Sequence, residues 1–186
     1  MEKTEEPKAL NVLTIRCPIC GNKTLQIKET EYYIPYLGKA LLVSRYCSSC
    51  HYRKSEIVPL EPKRHQRIYV RITSEDDLKV KIVRTSTTSI EIPEHGIYIY
   101  PGIDAPCFIT NVEGILQRFY DAARRIAILS QNKEERIASM LFLEKIDKLR
   151  NDPSPFTLIL DDPAGLAKVI GSKKLKFILV EDVEGD

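Results

Sequence analysis

Cysteine placement constrains this chain more than any other feature. Two tight pairs, Cys17-Pro18-Ile19-Cys20 and Cys47-Ser48-Ser49-Cys50, each leave two residues between their thiols. That spacing lets both sulfurs of a knuckle face one point. The 26 residues between the pairs suffice for two strands and a connection, so both knuckles can close on one ion. Four thiolates in tetrahedral array suit Zn²⁺, and a site with no open position is structural rather than catalytic. The spacing predicts one structural zinc held by Cys17, Cys20, Cys47 and Cys50.

Three other uses of these cysteines fit less well. Residues 1–16 are charged and lack the apolar centre of a signal peptide. The expectation is a reducing cytoplasm, where such spacing binds metal rather than forming disulfides. A thioredoxin-like motif would use a single CxxC beside a βαβ unit, and no such unit is visible. Residues 47–51 read CxxCH, which matches a haem attachment site, but covalent haem belongs to exported proteins and the upstream pair accounts for Cys47 and Cys50 better.

A chain of 186 residues can hold one ordinary domain and a small metal-stapled module. With 43% apolar and 29% charged residues, it reads as globular, neither disordered nor membrane-embedded. No apolar run approaches the roughly 20 residues that span a bilayer. The net charge of +2 does not itself argue for nucleic acid. Between residues 16 and 67, however, ten Lys or Arg face four Glu, a balance of +6. A basic module of this kind can meet RNA or an acidic protein face. Small zinc modules are equally often Lys-rich because their surface is nearly all solvated.

The pattern divides the chain into a flexible tail (residues 1–13), a zinc ribbon (14–60) and a β-domain (61–186). In the ribbon, Leu25, Ile27 and residues 32–36 predict one strand and residues 40–46 another, broken by Pro35 and Gly38. Gly21 follows the first knuckle, where a left-handed backbone is needed, and His51 takes that place after the second. Beyond residue 67, Ile68, Val70 and Ile72 alternate with polar residues, as do Leu78, Val80 and Ile82 after an acidic turn at 74–77. Residues 89–92, 97–100, 156–160 and 175–180 predict further strands. The period then changes to helical from Val112 through Ile115, Leu116, Phe119, Ala122, Ala123, Ile126 and Leu129. Thr110 with Glu113 predicts a capping box there. A second helix is expected from Asn132 and Glu135, carrying Ile137, Met140, Leu141, Leu143, Ile146 and Leu149 to a stop at Asp152-Pro153. The fold class is mainly β, with an αα-hairpin inserted at about 111–150.

This order resembles the ZPR zinc-finger family, whose eukaryotic members are named for binding growth-factor receptors. The matching pieces are the Cys17-to-Gly21 and Cys47-to-Cys50 knuckles, Glu56-Ile57, residues 72–78, residues 86–93, residues 110–114 and residues 157–165. They cover roughly residues 14–170. The resemblance implies a zinc ribbon like those of translation initiation factors, then a double-stranded β-helix domain with a helical-hairpin insertion. It also implies a single unit of the archaeal type, where eukaryotic members carry two. Those members bind translation elongation factor one-alpha, the GTPase that delivers aminoacyl-tRNA, and are thought to help fold it. The chain departs from the family at His51, where Gly is usual, and at Leu166-Ala167, where Asn-Ser is usual.

Three features carry candidate function beyond the metal. Asp161-Asp162-Pro163-Ala164-Gly165 can bind Mg²⁺ or a partner's basic loop, although Asp, Pro and Gly are also what a strand-ending turn requires. Asp161, Asp162 and Gly165 are expected on a partner surface, with Arg118, Arg124 and Arg125 of the hairpin. Leu141-Phe142-Leu143 makes the hairpin the preferred docking element. Cys107 reads as a small buried apolar residue, since no histidine is placed near it as a base. There is no phosphate loop and no catalytic constellation, so neither an enzyme nor a small-molecule substrate is expected. The reading is a zinc-binding partner of the elongation GTPase, with an RNA- or ribosome-binding ribbon as the alternative.

Overall fold

The computed structural model describes residues 8–103, 105–151, 155–171, 175 and 177–183. A four-stranded antiparallel sheet opens the chain, in the order β1 (Lys8–Ile15), β2 (Leu25–Ile34), β3 (Gly38–Cys47), β4 (Arg53–Pro59). The β2–β3 hairpin pairs Leu25 with Cys47 at one end and Ile34 with Gly38 at the other. Its turn places Tyr36 and Gly38 at φ 71° and 93°, so the expected break falls there. The tail expected over residues 1–13 is corrected from residue 8 onward. Residues 8–15 form β1 because the uncharged run 9–15 and Lys8 before it pair along β2, from Lys8↔Glu31 to Ile15↔Leu25. Polar composition at the extreme N-terminus concealed a strand that a longer ribbon supports.

The remaining strands make two further sheets. One has the order β12 (Ile178–Asp182), β5 (Gln66–Ile72), β10 (Phe156–Asp162), β7 (Ser89–Ile92), β8 (Ile97–Ile99). The other has the order β11 (Lys168–Ile170), β6 (Lys81–Arg84), β9 (Phe108–Asn111). Alternation in β5 buries Ile68, Val70 and Ile72, as its period-2 pattern requires. The strand expected over 78–82 is corrected. Residues 75–78 form a short helix, α1 (Glu75–Leu78), because Asp77 turns back to accept hydrogen bonds from the Thr73 and Ser74 amides at 2.8 and 3.0 Å. The strand itself starts later, at Lys81.

Two helices, α2 (Val112–Leu129) and α3 (Lys133–Asn151), form the inserted hairpin between β9 and β10. The N-cap of α2 is Asn111, whose Oδ1 accepts from the Gly114 amide at 2.7 Å. The Thr110–Glu113 box is thereby displaced by one residue, because strand β9 runs on through Asn111. Asn132 caps α3 as expected, accepting from the Glu134 amide at 2.8 Å. The Asp152-Pro153 stop lies outside the described residues.

Packing joins these pieces through two clusters. The larger core takes Val70, Ile72, Ile90, Ile92, Leu158 and Leu160 from the five-stranded sheet, with Val112, Ile115, Leu116, Ile146 and Leu149 from the base of the hairpin. The second unites Leu37 and Ala40 of the ribbon with Val83 and Leu166. Neighbouring residues of β6 therefore serve different layers, Ile82 the main core and Val83 the ribbon junction. Among the described residues, no helix is long and apolar enough to cross a membrane. A Val83→Asp substitution should weaken the junction while Ile82 keeps its place. The expected readout is faster amide exchange in β3 and β6 at unchanged zinc content; unchanged exchange in β3 would deny the junction.

Candidate metal centre and the turn at Asp161–Gly165

Both knuckles are built the same way. Cys17 donates its amide to the Asn22 carbonyl at 2.8 Å and accepts from the Gly21 amide at 2.8 Å. Cys47 donates to Tyr52 at 2.9 Å and accepts from His51 at 3.0 Å. Closing so tight a loop puts Gly21 at φ 76° and His51 at φ 60°. The glycine takes that conformation freely, whereas the histidine does so at a cost of about 1 kcal/mol.

These loops bring all four thiols together, every sulfur within 4.8 Å of the others. Cys17 Sγ lies 3.7 Å from Cys50 Sγ, and Cys20 Sγ lies 3.7 Å from Cys47 Sγ. A tetrahedral zinc with bonds of about 2.3 Å separates its sulfurs by about 3.8 Å, so the cluster fits that ion. Cys17 and Cys47 are buried against Leu25, while Cys20 faces solvent. The Thr24 hydroxyl, 3.2 Å from Cys47 Sγ, lowers that thiol to about 6. At Cys50 the Tyr52 amide favours the thiolate, but burial and the three neighbouring thiols outweigh it and push the group up to about 12. Cys47 thus ionises readily while Cys50 resists. A dication resolves that conflict, holding all four deprotonated.

The turn after β10 is built from inside the protein. Asp162 is fully buried. Its Oδ1 accepts from the Thr85 and Thr87 hydroxyls and the Ala164 amide, and its Oδ2 accepts from the Leu166 and Ala167 amides at 2.7 and 2.6 Å. Gly165, also buried, sits at φ 65°, where a Cβ would lie 2.0 Å from the Arg64 carbonyl oxygen. The Lys63 amide donates to the Ala164 carbonyl at 2.8 Å. The turn thus clamps the segment that leaves the ribbon. The expectation that Asp162 and Gly165 face a partner is corrected: both are inside, spent on this clamp. Asp161 is partly exposed and pairs with Arg67, its cross-strand partner on β5, and with His65. Burial opposes its ionisation, yet Arg67 and His65 hold its carboxyl below the ordinary aspartate value.

The remaining candidates lie apart from this turn, on the hairpin. Arg118 sits over the Phe108 ring at 4.0 Å, and Arg124 and Arg125 are exposed along α2. Cys107 packs beside the ribbon junction, and burial raises its thiol to about 11, which suits an inert apolar role. Sequence reasoning missed the clamp entirely. The run Thr85-Ser86-Thr87-Thr88 was its visible signal, since clustered hydroxyls supply donors to a buried carboxylate.

Four outcomes are expected. Cys47→Ser should lose stoichiometric zinc, measured by mass spectrometry, and amide protection in β1–β4, while β5 and β10 stay protected. Asp162→Ala orphans the buried Leu166 and Ala167 amides and should cost about 3 kcal/mol in denaturant unfolding; Gly165→Ala should cost about 1 kcal/mol or more, through strain and displacement of Arg64. The Asp161 contribution is full above about pH 4, the unfolded value, and is lost as pH falls through the lower folded one. Asp161→Asn should therefore reduce stability at neutral pH and shallow the acid limb of the stability profile.

Comparison with known proteins agrees with this architecture. The family model of the ZPR1 jelly-roll domain matches residues 76–176. A ZPR1-like protein of Methanocaldococcus jannaschii is 36% identical over 173 residues, covering 92% of this chain and 87% of the relative. One from Pyrococcus horikoshii is 34% identical over 181 residues, covering 91% and 79%. The zinc finger chaperone zpr1 of Schizosaccharomyces pombe is 29% identical over 166 residues, 85% of this chain but 35% of that longer protein. With its four-cysteine knuckles, its two-sheet β-domain and these matches across most of its length, the chain belongs to the ZPR1 family.

Proposed function

We propose that this protein is a zinc-dependent, non-enzymatic chaperone that binds the translation elongation GTPase in the cytoplasm. Cys17, Cys20, Cys47 and Cys50 hold one structural zinc in a ribbon spanning about 8–60, and the jelly roll from about 61 carries the hairpin. Support for a chaperone role comes from the fission-yeast relative's name, zinc finger chaperone. The GTPase as client comes from the family resemblance.

The observation that carries the reading is the outer half of the hairpin. At its base, Val112, Ile115, Leu116, Ile146 and Leu149 enter the core. Further out along both helices, apolar side chains are left in solvent. Ile126, Ile128 and Leu129 on α2, and Ile137, Met140 and Leu141 on α3, are all exposed, Leu129 by 75% and Leu141 by 61%. Both sets flank the 130–132 turn, so the tip is an apolar surface that marks a protein-binding site. Arg124 and Arg125 on α2, both exposed, give the contact a cationic margin.

A titration against the elongation GTPase, with GDP, with a GTP analogue and without nucleotide, tests this reading. Binding at micromolar or tighter affinity that depends on nucleotide is expected. Leu129→Glu with Leu141→Glu should weaken it at least tenfold while zinc content and thermal stability persist. Point variants are the right tool, because deleting residues 112–150 would also remove part of the core. Absence of binding in every nucleotide state, with RNA affinity that falls steeply with salt, would replace this reading by an RNA-binding ribbon.

A further inference from the structure

Strand β1 has the composition of an interior strand and the position of an edge strand. Residues 9–15 carry no charge, and Leu10, Val12, Leu13 and Ile15 are all exposed, Val12 by 65%. These apolar residues lie on both faces: Val12 is opposite Lys28, while Leu13 and Ile15 are opposite Ile27 and Leu25. Strands apolar on both faces are ordinarily covered and paired on both sides. Yet β1 ends its sheet, and among the described residues its outer edge pairs with no strand.

Natural edge strands are protected by charge, proline or bulges. Here the one irregularity lies between Ala9 and Asn11, which leaves residues 11–15 straight and unguarded. We propose that this edge docks an extended segment of a protein partner, apolar at its centre and acidic at the end beside Arg16, added as a fifth strand beside β1. Main-chain hydrogen bonds would supply affinity, and alternate side chains would supply specificity. The acidic end follows from charge, since Arg16 lies at the Ile15 end of β1 while Glu29 and Glu31 lie opposite Asn11 and Lys8 toward the other. Arg16, just past the strand, and Lys28, beside Val12, are exposed and form no ion pair with a described residue. The region from 16 to 67 is cationic overall. A second copy of this chain would bring the same cations to the contact, whereas an acidic strand neutralises them.

The test uses the full, zinc-loaded chain and three synthetic twelve-residue peptides. The first has an alternating Val-Thr centre between paired glutamates, the second has the same centre between paired lysines, and the third carries a central proline in the glutamate version. The glutamate peptide should slow amide exchange in residues 10–15 and bind at least tenfold tighter than either other peptide. Val12→Ser with Leu13→Ser, which removes the apolar contact without changing the charge, should weaken the glutamate peptide at least tenfold at unchanged zinc content. Equal binding of the two charged peptides, no binding by any of them, or binding that survives the double substitution would overturn the proposal. So would a concentration-dependent dimer that the double substitution dissolves, which would assign the edge to a second copy.

Discussion

A single buried carboxylate organises the meeting point of the molecule. Asp162 has no access to water, yet both of its oxygens are satisfied from three directions: hydroxyls of the 85–88 turn, the Ala164 amide, and the two amides that lead into β11. Burying a charge is costly unless hydrogen bonds replace its hydration, and here five donors do so. The turn they fix carries Gly165, whose missing side chain admits the Arg64 carbonyl. Position of the ribbon thus depends on hydrogen bonds made inside the β-domain.

The ribbon obeys a different constraint. Its core beside the metal contains only Cys17, Leu25 and Cys47, with Cys50 and Tyr52 against them. So small a cluster excludes little water, and coordination must supply most of the local order. Long strands compensate at the opposite end, where Leu37 and Ala40 reach the junction with Val83 and Leu166. One end of the ribbon is held by an ion and the other by oil. The two ends of one sheet therefore answer to different forces, coordination at the knuckles and apolar packing at the junction.

Much of this was legible from sequence where local chemistry decides structure. The CxxC spacing, the Gly21 and His51 backbone, the β2–β3 hairpin and both hairpin helices follow from patterns contained within a few residues. Elements whose existence depends on distant partners were hidden. Strand β1 forms because β2 extends to Glu31, and β4, β9 and β11 are short segments completed only by sheet neighbours. Asp-Asp-Pro-Ala-Gly reads as a strand-ending turn because it satisfies turn chemistry by itself, which hides the clamp. Only the fold shows that Asp162 faces inward and Asp161 outward, as successive residues of a strand must.

That same alternation has a consequence at β6. Ile82 and Val83 point to opposite sides, one into the main core and one into the ribbon junction. A slip of one residue would exchange them and spoil both interfaces at once. The ribbon is therefore indexed to the β-domain by strand register, not hung from it by a hinge. A partner that touched both the ribbon and the β-domain would meet two surfaces whose relative placement is written into the register of one strand.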